Sequence, residues 1–385
     1  MTDRVFLDWN ATTPLRPEAR AAITAALALT GNASSIHAEG RAAHALVEDA
    51  RGQVAALAGA EPKGVTFTSG ATEANMLALT PAIEIGGRKA PRDRLFVSAI
   101  EHSSVLRGAR FAAADTEVLP VTAAGMIDLA QLKRRIASAE RPLVSVMLVN
   151  NETGVIQPIG EVAAIVHDAN GLLHVDAVQA PGRIDCRMGE LGADLLTLSA
   201  HKIGGSHGAG ALVRRGELHI TDPLIKGGSQ ERGLRAGTEN VAAIAGFGAA
   251  AALAATLADG ARMTALRDRL ESGLKAATSD VVILGEASPR LPNTTLFAVP
   301  GIKAETAVIA FDLNGIAVSS GSACSSGKVT ASHVLAAMGV EPSLARGAVR
   351  VSIGRTTTEA DIERFLATWI KVSASLLKER RGIAA

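Results

Sequence analysis

Between residues 60 and 215 short apolar runs alternate with amphipathic stretches. Seven runs read as strands: "GVTFTSG", "RLFVSAI", "TEVLPV", "PLVSVMLV", "LLHVDAV", "DLLTLSA" and "GAGALVRR". "ATEANMLALTPAI", "SSVLRGARFAAA", "DLAQLKRRIA" and "GEVAAIVHDAN" read as helices among them. Apolar strands separated by helices predict an α/β fold, with a mostly parallel seven-stranded sheet covered on both faces. Ligands of such sheets bind beyond the carboxyl ends of the strands.

The texture changes further on. "VAAIAGFGAAAALAATLA", 241–258, is apolar and rich in Ala and Gly. It lacks the aromatic and basic flanks of a membrane span and reads as a buried helix. Next come an amphipathic helix, "ARMTALRDRLESGLKAA", and a mixture of short strands and helices. "VRVSIG" alternates as a half-exposed strand does. The pattern predicts a large domain at 16–258 and a smaller α+β domain formed by 1–15 and 259–385.

Composition narrows the function. The 385 residues carry 39 Lys and Arg against 38 Asp and Glu. Such balance gives no footprint for nucleic acid or an anionic membrane. Aromatics are 3% with no tyrosine, so base-stacking platforms are not expected. Two cysteines cannot build a disulfide framework, and "MTDRVFLDWN" has no signal-peptide pattern. A cytoplasmic location is the expectation. The nine histidines show no zinc-ligand spacing, and no metal site is expected.

Candidate chemistry gathers after the strands. Ser69, Gly70, Ala71 and Thr72 open a helix, which suits a phosphate or an ordinary N-cap. His102 ends one strand, and Asn150 and Asn151 follow another. Asp176 sits in an apolar run, where a carboxylate needs a partner. Gln179 follows three residues later. Ser199, His201 and Lys202 end "LLTLSAHK". A phosphate cradle, a buried carboxylate, a histidine and a lysine at one sheet edge match what pyridoxal 5'-phosphate needs. Near the C-terminal end, "SSGSACSSG" sets Cys324 among five serines and two glycines. Turn formers offer a cysteine no packing, so its thiol chemistry becomes the question. The other cysteine, Cys186, has no loop signature and reads as structural.

"GATEAN", "VNNETGV", "HVDAVQ", "SAHKIGG", "RAGTEN" and "SSGSACSSG", in this order, resemble the cysteine desulfurases. These are class V members of the fold-type I pyridoxal-phosphate enzymes. The resemblance runs from "LDWNATTP" to "VRVSIGRTTTEADI", and the Cys324 segment is similar to the group I branch, with its nitrogen-fixation and housekeeping iron–sulfur enzymes. It implies that Lys202 carries the cofactor as a Schiff base and Asp176 faces the ring nitrogen. His102 would stack on the ring and serve in proton transfer. Gln179 would bond the ring hydroxyl, with Asn151 between that hydroxyl and the substrate carboxylate. Ala71, Thr72, Ser199 and His201 would hold the phosphate, with Thr238 reaching in from the second subunit of a homodimer. Arg350 would clamp the substrate carboxylate, and Asn32 with the "DWNATTP" loop would help close the pocket.

The resemblance further implies the reaction. L-cysteine would become L-alanine, with its sulfur left on Cys324 as a persulfide. An acceptor protein, such as an iron–sulfur scaffold, would then take the sulfur, and any iron–sulfur contact at Cys324 would be transient. A segment that visits the cofactor and then a partner is expected to be mobile. A selenocysteine lyase or another transferase of the same fold is the alternative, and a non-catalytic partner protein is disfavoured by the intact set Lys202, Asp176, His102 and Cys324. One departure stands out: after Lys202 the family often has Pro and Lys before the next glycine, where this chain has "GGSHGAG".

Overall fold

The computed structural model describes residues 4–256, 259–321 and 332–383, without the side chains beyond 377. Helices α1 (Pro17–Leu27) and α2 (Ala38–Ala58) precede the main sheet. Its strands are β1 (Val65–Thr68), β2 (Arg94–Ser98), β3 (Thr116–Leu119), β4 (Pro142–Ser145), β5 (Leu172–Asp176), β6 (Leu195–Ser199) and β7 (Gly210–Arg214). They lie in the order β1–β7–β6–β5–β4–β2–β3. Only β7 runs against its neighbours, so the other six end at one edge. Strands β1, β4, β5, β6 and β7 are buried along their whole length, which is why their sequences are apolar runs rather than alternations.

Helices α3 (Ala71–Ala78), α4 (Ser103–Leu106), α5 (Leu129–Ile136) and α6 (Ile159–Asp168) follow four of these strands. Helix α4 is much shorter than the sequence pattern suggests. The chain leaves it at Gly108, where a Cβ would lie 2.0 Å from the Ser104 carbonyl oxygen, so the turn there is made by close backbone approach. Helix α7 (Val241–Ala254) is the alanine-rich stretch, and it packs on α1 and α2. Its small residues let backbones come close: a Cβ on Gly248 would lie 2.6 Å from the Ala50 Cα. Among the described residues no helix is long and apolar enough to cross a membrane.

A second apolar cluster is built by α8 (Gly260–Ala277), α9 (Ala304–Leu313) and α11 (Glu359–Ile383), around Phe297, Phe311, Phe365 and Trp369. These helices cover a four-stranded antiparallel sheet in the order β8 (Val282–Ile283), β9 (Thr294–Ala298), β11 (Val349–Ser352), β10 (Ser319–Ser320). The short helix α10 (His333–Ala337) precedes β11. Val5 and Leu7 belong to this cluster, and Val5–Phe6 pairs with Ile316–Ala317. Strand β11 is buried throughout, not half-exposed. Its polar residues Arg350 and Ser352 face protein: Ser352 Oγ accepts the Asn10 N–H at 3.0 Å. Alternation here separates a greasy face from a polar, functional one.

Candidate active site

The carboxyl ends of the sheet open on a cavity of about 510 Å³. Lys202 lies on a single 3-10 turn after β6, and its Nζ donates to the carbonyls of Asn10 at 2.6 Å and Ala11 at 2.8 Å. The "DWNATTP" stretch thus forms the wall against the lysine. Asp176 is the last residue of β5 and only 6% exposed. Its Oδ1 accepts the Val178 N–H at 3.0 Å and its Oδ2 accepts Asn75 Nδ2 at 2.9 Å. Among the described residues no cation pairs with it.

His102 caps α4 and lines the same cavity. Its Nδ1 lies 2.8 Å from Ser104 Oγ and accepts the Ser104 N–H at 3.2 Å. Burial lowers its pKa; Asp176 opposes this, while Lys202 and His333 add to it. Gln179 Nε2 donates to the Asn10 carbonyl at 3.0 Å, and Arg183 holds the Gln179 side-chain oxygen.

The first turn of α3 opens on the cavity through Ala71 and Thr72. Its N-cap, Gly70, offers no side-chain bond, so the first N–H groups are not capped from within. A Cβ on Gly210 would lie 2.5 Å from Gly70 C and 2.8 Å from Ala71 N, so β7 closes on this turn only as glycine. Ser199 and His201 complete that end. The His201 pKa is pushed down to about 4 by burial, with Lys202 and His207 adding to it. His207 lines the cavity too, its ring 5.2 Å from that of His201. It was not singled out from the sequence, although the departure "GGSHGAG" marks the place.

The opposite wall is made by Asn151 and Arg350. Asn150 and Asn151 divide the work. Asn150 is buried and its Oδ1 accepts the N–H groups of Glu152 and Thr153, each at 3.0 Å, so it shapes the turn. Asn151 faces the cavity, and its carbonyl accepts Asn10 Nδ2 at 3.2 Å and an Arg350 NH1 hydrogen at 2.9 Å. Arg350 also reaches Asp8 Oδ1 at 2.8 Å, while its buried Nε has no partner among the described residues.

One expected residue is not at this cavity. Asn32 is exposed, and its Oδ1 accepts the Ser34 N–H at 2.8 Å, closing a local turn. Thr238, expected to act from the second subunit, is exposed and lines a neighbouring groove with Ser69 and Gly208. Cys324 lies outside the described residues, yet both flanks of its segment are placed. Ser319 pairs directly with Arg350, the Gly321 N–H bonds the Ala348 carbonyl at 3.0 Å, and Ser332 Oγ donates to Glu152 Oε2 at 2.6 Å. Cys186 is buried, with its thiol pushed up to about 12 by burial and by Asp185. It stays protonated and packs as an apolar residue. Among the described residues no cluster of His, Cys, Asp and Glu could hold a metal ion.

The sheet order and the cavity at its carboxyl edge are those of the fold-type I pyridoxal-phosphate enzymes, and comparison makes the class specific. The profile described as "Aminotransferase class-V" matches residues 5–365. A cysteine desulfurase of Gluconacetobacter diazotrophicus is 42% identical, over 97% of this chain and 94% of that protein. The structure of a NifS-like protein from Rickettsia africae superposes with a TM-score of 0.87 at 36% identity, over 97% of this chain and 100% of that one. A solved SspA in complex with cysteine gives a TM-score of 0.77 at 28% identity, over 91% and 99%. The chain belongs to the class-V aminotransferase family and, within it, to the cysteine desulfurases.

Proposed function

We propose that this protein is a pyridoxal-phosphate-dependent cysteine desulfurase that converts L-cysteine to L-alanine and takes the sulfur onto Cys324. The observation that carries the reading is the placement of Lys202 and a buried Asp176, which meets no cation among the described residues, in one cavity whose end is formed by a helix start without a side-chain cap. The residues fit the cofactor. Asp176 would receive a protonated ring nitrogen. The first turn of α3, with Thr72, Ser199 and His201, would hold the phosphate. Gln179 would meet the ring hydroxyl and His102 the ring face, since both line the cavity.

When bound, the cofactor would accept the electron pair released as the substrate loses its α-proton. Lys202 Nζ would hold the cofactor and take that proton. Arg350, whose buried Nε has no partner among the described residues, would orient the substrate carboxylate by charge-assisted bonds. The thiolate of Cys324 would attack the substrate sulfur. An S–S bond forms as the C–S bond breaks with its electron pair left on the carbon skeleton, which takes up one proton at Cβ and one at Cα and leaves as alanine. The flanks of the Cys324 segment meet Glu152 and Arg350, which supports delivery of this residue to the substrate end. The persulfide would pass to an acceptor protein in a reducing cytoplasm. A second copy of the chain would supply Thr238, whose exposed position beside Ser69 suits that role.

The test is the Cys324→Ser variant with L-cysteine. It should keep the visible absorption of the bound cofactor and respond spectrally to L-cysteine, yet form almost no alanine or sulfide. Alanine formation near the parental rate would overturn the role of Cys324 and point to direct elimination of sulfur.

A further inference from the structure

Beneath the cavity floor a chain of buried bonds joins two groups treated so far as separate. Asn75, on α3, is fully buried. Its Nδ2 donates one hydrogen to Asp176 Oδ2 and the other to Ser104 Oγ, both at 2.9 Å. The amide can only face this way, because the reverse would aim a carbonyl oxygen at a carboxylate. Ser104 Oγ thereby accepts one bond and keeps a single hydrogen. The polar atom ahead of it is His102 Nδ1, 2.8 Å away. The Ser104 N–H also points at Nδ1, at 3.2 Å. An Nδ1–H would collide with that amide hydrogen. Nδ1 is therefore an acceptor, and the neutral ring carries its proton on Nε2.

We propose that Asn75 and Ser104 are positioning residues that lock His102 in its neutral, Nε2-protonated form, so that the ring offers the cavity a hydrogen-bond donor. The inference rests on the desulfurase reading only for what His102 faces. A second proton could enter only at Nδ1, displacing two donors. Bonds that favour the neutral form depress proton affinity, in the same direction as the burial of the ring. The charged and titratable groups facing the ring are Asp176 on β5, Lys202 after β6 and His333 on α10. His333 Nε2 contacts the Glu101 carbonyl at 2.9 Å. The Glu101 carboxyl is buried beyond Asp176, and burial pushes its pKa well up. Of these, only Asp176 favours a charged His102, and Asn75 already bonds it.

Nitrogen-15 NMR of the cofactor-loaded protein, labelled at histidine and assigned with His102→Gln, reads the tautomer directly. His102 should show a protonated Nε2 and a bare Nδ1 from pH 6 to 8. Ser104→Ala removes one donor to Nδ1 and should raise the His102 pKa by about one unit. Ser104→Thr should restore it. An Nδ1-protonated or cationic ring at pH 7, or no shift in Ser104→Ala, would overturn the proposal. None of these readouts depends on turnover, so failure to desulfurate cysteine would leave the tautomer result intact. A histidine tautomer other than the one proposed would leave the desulfurase reading standing.

Discussion

The floor and the far wall of the cavity are built on opposite terms. On the floor, Asp176, Asn75, Ser104 and His102 satisfy one another through bonds of 2.8–3.2 Å, and the atom left over is neutral, Asn75 Oδ1. On the far wall, the buried atom with no partner among the described residues belongs to a charged group: the Nε of the Arg350 guanidinium, only 3% exposed. Glu152 stands behind it with its pKa pushed up to about 7. A floor completed by the fold is preorganised for a group that stays. A wall with a buried charged donor that no described residue meets suits a ligand that arrives, is used and leaves, since a buried unsatisfied donor is costly until it is met.

The largest break in this comparison is Lys202→Ala. Removing the floor's nucleophilic amine should lower alanine formation from L-cysteine by about 10³-fold or more. Borohydride reduction of the loaded parent should fix the cofactor to the peptide containing Lys202. Fixation to any other lysine would move the floor elsewhere. Next is Arg350→Lys on the wall. A compact ammonium cannot serve Asp8, the Asn151 carbonyl and a carboxylate with the geometry of a planar fork. The KM for L-cysteine should rise about 10- to 100-fold, corresponding to roughly 1.5–3 kcal/mol. The cofactor spectrum should not change. A fall in kcat at constant KM would mean that Arg350 does not hold the substrate in its ground state.

The floor was more legible in the sequence than its supports. Lys202, Asp176 and His102 stand at the ends of apolar runs, and the strand–helix rhythm alone brings strand ends to one edge. Asn75 and Ser104 sit inside segments that read as helix, where polar residues are usually solvated. The signal for Asn75 was a lone amide in the otherwise apolar "ANMLAL". Glu152 lay inside the noticed motif "VNNETGV", but its partner Ser332 is 180 residues away, and no local pattern encodes that contact. For the same reason Asn32 was drawn toward the pocket: its motif has a composition, but the side chain bonds its own turn. Strand β11 misled in the reverse direction, because a residue that faces a polar site and one that faces water look alike in a sequence.

The smallest expected effect is on stability and belongs to Glu152→Gln. The Glu152 carboxyl is raised from an ordinary 4.5 to about 7 chiefly by burial, a rise that the Ser332 hydroxyl and Arg350 partly offset. Between these values the folded protein holds a proton that the unfolded chain has lost. Stability contributed by this group therefore falls as pH rises through that window, and it is level below about 4.5 and above about 7. The span corresponds to roughly 3 kcal/mol at most. Glutamine has the same shape, still accepts from Ser332, and does not titrate. His102, His174 and His201 have lowered pKa values and change stability in the opposite direction, so the informative quantity is parent minus variant. Urea unfolding at pH 5 and pH 8 should show Glu152→Gln gaining on the parent as pH rises. A difference that is the same at both pH values would mean that Glu152 is ionised throughout, as a full ion-pair partner of Arg350. The wall would then be as complete as the floor before any substrate arrives.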